Sequence, residues 1–124
     1  MGEQHTVLVV EDNDFVRIQI VTFLNGAGYK TLEANDGNEA LDLMSKEISL
    51  AIVDVRMEPM DGFEFIAITQ AEGYKIPVIL VTGDQNANIL ARAGKLGVAT
   101  VLMKPVQKDR LLSMVARLIE RGVR

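Results

Sequence analysis

The chain has 124 residues, 48% hydrophobic and 24% charged, which gives room for one globular domain with one core and not for two. It has no cysteine, which excludes a disulfide framework, a zinc finger, an iron–sulfur cluster and thiol catalysis, and which fits a reducing compartment. Net charge is −4 but uneven: residues 1–72 hold fourteen acidic and four basic side chains, residues 73–124 three and nine, so the first half is unsuited to nucleic acid.

Thr6-Val7-Leu8-Val9-Val10 reads as a buried strand, short, β-branched and closed by Glu11-Asp12. From Asp14 to Asn25, Val16, Ile20, Phe23 and Leu24 recur at helical spacing, and Gly26 and Gly28 end the pattern. Residues 29–33 form a second, short strand. Asp36-Gly37-Asn38-Glu39 has the form of a capping box, with Asp36 as N-cap and Glu39 reaching back, and opens a helix that turns Ala40, Leu41 and Met44 inward. Leu50-Ala51-Ile52-Val53-Asp54 is a third strand, apolar until it ends in an acid.

Residues 62–72 are helical, with Phe63, Ile66 and Ala67 on the inner side and Gly73 as the stop. Residues 77–82 form a fourth strand ending in Thr82, and residues 86–96 a helix closed by Gly97. Residues 99–103 are the fifth strand. Residues 106–121 are the last helix, with Leu111, Val115, Leu118 and Ile119 as its core stripe. Strands apolar on both faces, alternating with helices, predict an α/β fold: a doubly wound, five-stranded parallel sheet covered on both sides. The chain shows no repeat, linker or low-complexity segment. The longest apolar runs have four to five residues, too short to span a bilayer. The polar start Met1-Gly2-Glu3-Gln4-His5 lacks the basic region of a signal peptide, so a cytoplasmic protein without membrane contact is expected.

In an open α/β sheet, ligands bind beyond the carboxyl ends of the strands. Strand one ends in Glu11-Asp12, strand three in Asp54, strand four in Thr82 and strand five in Lys104-Pro105. Each alone has a plain structural explanation: Asp12 or Asp14 as an N-cap, Thr82 as a turn residue, Lys104 as a solvated cation. Together they place three carboxylates, a hydroxyl and an ammonium in one crevice. Two carboxylates about 4 Å apart repel by roughly 4 kcal/mol at an effective dielectric of 20, so three call for a cation. Oxygen ligands without His or Cys favour a hard ion, and a shallow, water-retaining site suits Mg²⁺. A carboxylate flanked by Mg²⁺ and lysine suits a phosphoryl acceptor, because phosphoryl transfer needs positioning and charge neutralisation and little else.

The runs Val9-Val10-Glu11-Asp12-Asn13, Asp54-Val55-Arg56-Met57-Glu58-Pro59-Met60-Asp61-Gly62, Val81-Thr82-Gly83 and Leu102-Met103-Lys104-Pro105 resemble the receiver domain of two-component response regulators. The resemblance covers essentially the whole chain and implies the (βα)5 flavodoxin-like fold, one receiver domain over residues 1–124 and no output domain. It implies transfer of a phosphoryl group from the phosphohistidine of a histidine kinase, or from a phosphotransfer protein, to Asp54. It makes Asp12 a direct Mg²⁺ ligand, Glu11 a ligand mainly through water, Asp54 and the carbonyl of Arg56 further ligands, and Thr82 the switch hydroxyl. Lys104 would contact the phosphoryl group, and the Lys104-Pro105 bond would be cis.

The chain departs from the family pattern at three places. Glu58 stands where proline usually follows the methionine of the third-strand loop, which puts that loop's backbone in question. Val101 stands at an often aromatic position, so a rotating-ring readout is excluded. Arg56 and Asp84 flank the site and are expected to pair across its mouth and slow the attacking water. The basic surface of residues 86–121 is the expected responsive face, for an acidic partner or a homodimer. No helix carries base-reading side chains, so no direct nucleic-acid contact is expected.

Other classes fit less well. A haloacid-dehalogenase-like phosphatase also uses a strand-end Asp but needs a second Asp at the position of Arg56. A nucleotide or flavin module would need a Gly-rich loop where Glu11-Asp12-Asn13-Asp14 stands, and these would repel phosphate. A degenerate receiver acting as a constitutive interaction module is the remaining alternative, opposed by the filled chemical positions. His5 is read as a strand-leading terminal residue.

Overall fold

A computed structural model describes residues 4–84 and 86–122; Met1, Gly2 and Glu3 of the polar start lie outside them. Ten elements alternate: β1 Thr6–Val10, α1 Asp14–Gly26, β2 Lys30–Ala34, α2 Gly37–Leu43, β3 Ile48–Asp54, α3 Gly62–Ala71, β4 Val78–Thr82, α4 Ala87–Lys95, β5 Thr100–Met103 and α5 Lys108–Gly122. The strands form one parallel sheet in the order β2-β1-β3-β4-β5. This is the doubly wound, flavodoxin-like arrangement that the alternation predicts, with its order reversing between β1 and β3.

The two-residue period of a strand divides the core in two. Leu8, Val10, Ala51, Val53 and Leu80 face α2, α3 and α4, where Ala40, Phe63, Phe65, Ile66, Ile89 and Ala93 close over them. Val7, Val9, Leu50, Ile52, Ile79 and Val81 face α1 and α5, against Ile20, Leu24, Leu111, Val115 and Ile119. The central strands are therefore apolar on both faces and leave no position for a charge until they end.

Three local expectations are corrected. Glu39 does not close a capping box with Asp36. Asp36 accepts from the Glu39 N–H at 2.9 Å, but the Glu39 carboxylate takes the Asn35 N–H, at 2.7 Å. The reciprocal box is instead at α3, where Asp61 and Glu64 exchange both bonds. Ala67 is exposed, and the inner face of α3 carries Phe65 and Thr69 beside Phe63 and Ile66. The N-cap of α1 is neither Asp12 nor Asp14 but Asn13, whose side chain accepts from the Val16 N–H at 3.0 Å. Both the Lys104-Pro105 and the Glu58-Pro59 bonds are cis.

Candidate functional site

The sheet brings the polar strand ends together because β1, β3, β4 and β5 are consecutive neighbours. Glu11 follows β1, Asp54 ends β3, Thr82 ends β4 and Lys104 follows β5. Glu11, Asp54 and Lys104 line an open cleft of about 530 Å³ with Asp12, Asn13, Arg56, Gly83 and Asp84, and Thr82 directly precedes Gly83 in the chain. Glu11, Asp54 and Thr82 are almost fully buried, at 1%, 4% and 1% exposure, whereas Asp12 is exposed. Charged side chains at that depth are rare unless paired.

Lys104 supplies the pairing. Its Nζ lies 3.1 Å from Glu11 Oε1 and 3.2 Å from Asp54 Oδ1. Glu11 Oε2 accepts the Asn13 N–H at 3.1 Å. Beyond this ion pair Glu11 Oε1 has no further hydrogen-bond partner among the described residues. One ammonium is too little charge for the acids present. Burial pushes the Glu11 carboxyl up to about 7, with the Asn13 N–H pulling it back and Asp54 adding to the rise. Burial likewise raises Asp54, against the opposing pull of Lys104. Burial alone would lower the Lys104 ammonium, but Glu11 and Asp54 outweigh it and raise it.

Oxygens of Glu11, Asp12 and Asp54 come within 4.8 Å of one another, a spacing that one cation can bridge. The donor set is all oxygen, two of the three groups are buried, and Glu11 Oε1 is an orphan. The residues therefore fit a hard divalent ion.

The switch-position hydroxyl is engaged in its own turn. Thr82 Oγ1 accepts the Asp84 N–H at 3.0 Å and donates to the Asp84 carbonyl at 3.2 Å. The Arg56 guanidinium pairs with the Asp84 carboxylate across the cleft mouth, as the sequence predicts, with Arg56 largely in solvent and Asp84 half-buried. Arg56 and Asp12 also border a second cleft, of about 570 Å³, walled by Phe63 with the Arg92 guanidinium 4.2 Å over its ring. The residue that sequence reasoning missed is Arg17, which contacts the Glu11 carbonyl. Its only sequence signal is its place three residues after Asp14, a spacing shared by many helical ion pairs.

Comparison with known proteins bears on the family and the fold. Residues 7–116 match the sequence profile described as response regulator receiver domain. Among curated proteins, the CAI-1 autoinducer sensor kinase/phosphatase CqsS of Vibrio cholerae is 35% identical over 117 residues, covering 91% of this chain and 17% of that protein. The transcriptional regulatory protein ZraR of Klebsiella oxytoca is 32% identical over 111 residues, covering 89% and 25%. The chain thus spans a quarter or less of these two relatives. A response regulator receiver protein from Pseudomonas putida superposes with a TM-score of 0.86 at 32% identity, covering 94% of this chain and 99% of that one. A receiver domain protein from Methanospirillum hungatei gives a TM-score of 0.90 at 22% identity, with 97% of both chains covered, a likeness of fold. Among the described residues no helix is long and apolar enough to cross a membrane.

Proposed function

The chain belongs to the response regulator receiver domain family of two-component systems, and on that footing we propose that it is a phosphoacceptor switch with Asp54 as the acceptor. One observation carries this reading: Asp54 lies at the floor of an open cleft with Lys104 Nζ 3.2 Å from its Oδ1 and the orphan oxygen of Glu11 beside it. An Asp54 oxygen attacks phosphorus as the P–N bond of a donor phosphohistidine breaks. The electron pair stays with the imidazole nitrogen, and an aspartyl phosphate forms. The donor is a histidine kinase or a phosphotransfer protein.

Asp12, Asp54, the Arg56 carbonyl and, mainly through water, Glu11 would hold Mg²⁺. The ion when bound supplies positive charge toward the phosphoryl oxygens. Lys104, 3.2 Å from Asp54 Oδ1, would take a second phosphoryl oxygen once Asp54 is phosphorylated. Thr82 can reach a third only by giving up its turn with Asp84, so acceptor chemistry and the β4–α4 loop are linked through one hydroxyl. That loop leads into α4, where Leu90 is 52% exposed and Arg92 and Lys95 are exposed. With Lys108, Arg110 and Arg117 on α5, these make residues 86–121 a basic face suited to an acidic partner or a second copy of the chain.

Intact mass spectrometry with an acyl-phosphate donor tests the acceptor. Wild type is expected to gain one phosphoryl mass only when Mg²⁺ is present, and Asp54→Ala to gain none. A wild type that gains no mass with Mg²⁺ would instead be a constitutive interaction module. A second expectation concerns loss of the group: Arg56→Ala removes the ion pair over the cleft mouth and opens a path for water. Dephosphorylation should then quicken several-fold in a decay time course, and an unchanged rate would refute a screening role for the pair.

A further inference from the structure

Arg17 lies in the first turns of α1, and the proposed transfer makes no use of it. Its side chain is only 12% exposed, and each of its three nitrogens has an oxygen partner. Nη2 meets Asp14 Oδ1 at 2.7 Å and Nε meets Glu33 Oε1 at 3.1 Å. Nη1 donates to the main-chain oxygen of Glu11 at 2.9 Å. The first two contacts are intrahelical and helix-to-strand ties. The third reaches into the backbone of the acidic cleft.

Glu11 is held from every side. Its N–H donates to the Ala34 carbonyl at 3.0 Å, its carbonyl accepts from Arg17, and its carboxylate takes the Asn13 N–H. The Glu11–Asp12 peptide is planar, so a donor held on its oxygen restricts how far that plane can tilt and carry Asp12 with it. Asp12 is exposed, and the aim of its carboxylate follows from the backbone that carries it. A guanidinium, planar and with five donors, can serve a carbonyl and two carboxylates together, while an ammonium is a single point charge.

We propose that Arg17 is a positioning residue for the acidic cleft: by holding the Glu11 carbonyl it sets the separation and aim of the Glu11 and Asp12 carboxylates. The proposal rests on the reading that these carboxylates hold a divalent cation for phosphoryl transfer. The competing role is a mere strap between α1 and β2, which would act through Asp14 and Glu33 and leave the cleft alone.

Three variants separate the two roles: Arg17→Met keeps the apolar stem, Arg17→Lys keeps the charge, and Glu33→Ala removes the acceptor of the strap but leaves the carbonyl bond. The first measurement is Mg²⁺ affinity by calorimetry. The second, made without metal, is hydrogen exchange at the Asn13 amide relative to amides of β3. Arg17→Met is expected to weaken Mg²⁺ binding about tenfold or more, the usual size for a partner that orients a ligand. It should also speed Asn13 exchange selectively. Arg17→Lys should recover part of the affinity, and Glu33→Ala should leave both measurements near wild type even if its melting temperature falls. Wild-type affinity and wild-type Asn13 exchange in Arg17→Met would overturn the proposal, whatever its stability. If that variant does not fold, Arg17→Lys is judged by the same two measurements. Should the wild type bind no Mg²⁺, selective exchange at Asn13 would uphold the positioning role and sink the cation reading, and unchanged exchange would sink both.

Discussion

In buffer free of divalent ions, the protein is expected to lose stability as pH rises from about 4.5 towards 7, and Glu11→Gln to remove most of that loss. Glu11 titrates at an ordinary 4.5 when unfolded and at about 7 when folded, because burial disfavours its charged form. Between those values the folded chain keeps a proton that the unfolded chain has released. A folded state that binds more protons loses stability as pH rises, and the loss is complete once the pH passes the folded value. The side chain is 1% exposed, so solvent does little to screen the effect. The whole interval corresponds to roughly 2 to 3 kcal/mol, or roughly 5 to 12 °C in melting temperature for a domain of this size. Asp54, also raised, adds in the same direction. Lys104 is raised as well, but its contribution is lost only at alkaline pH, outside this window. Melting curves at pH 5 and pH 7.5 for both proteins give the slope directly. If Glu11→Gln showed the wild-type slope, Glu11 would not be the strained group. Added Mg²⁺ should restore the wild type at pH 7.5 and act more weakly on Glu11→Gln, since the orphan oxygen beside Lys104 is the one that the ion would relieve.

Fold and candidate site were legible for one reason: the interior of a parallel sheet tolerates no charge, so each strand announces its end with its first polar residue. Glu11, Asp54, Thr82 and Lys104 stand out on that ground, and the sheet order places them side by side. What escaped was detail set by competition among equivalent partners. Glu39 and Glu64 occupy the same position in the same motif, yet only Glu64 closes its box, because the Asn35 N–H offers Glu39 a partner one residue further back. Ala67 matched the helical spacing, but Phe65 and Thr69 are buried beside Phe63 and Ile66 in its place. Arg17 is illegible for a deeper reason: its decisive partner is a main-chain oxygen, and every residue has one.

Gly62→Ala is expected to lower stability by about 2 to 3 kcal/mol and to impair phosphoryl uptake beyond what that loss explains. Gly62 opens α3, and its N–H donates to the Val55 carbonyl at 2.9 Å, which draws the helix start against the end of β3. A Cβ there would press into the Asp54 carbonyl oxygen and come within 3.1 Å of Val53 Cγ1. Neither can retreat, since Asp54 and Val53 belong to a strand paired on both sides. The strain must fall on the residue that carries the acceptor. Two other glycines serve as comparators. At Gly37 a Cβ would meet Met60 Sδ at 2.7 Å, Cγ at 3.0 Å and Cβ at 3.1 Å; the thioether can swing away but the Cβ must give a little, so Gly37→Ala should cost about 1 kcal/mol, less than Gly62→Ala. At Gly94, inside α4, nothing lies within 4 Å, and Gly94→Ala should stabilise by about 0.5 to 1 kcal/mol through helix propensity alone. Urea denaturation ranks the three, and acyl-phosphate uptake per folded molecule separates global from local damage. Normal uptake by folded Gly62→Ala would mean that the acceptor tolerates displacement of its own backbone, and that the close approach of α3 serves packing rather than the chemistry at Asp54.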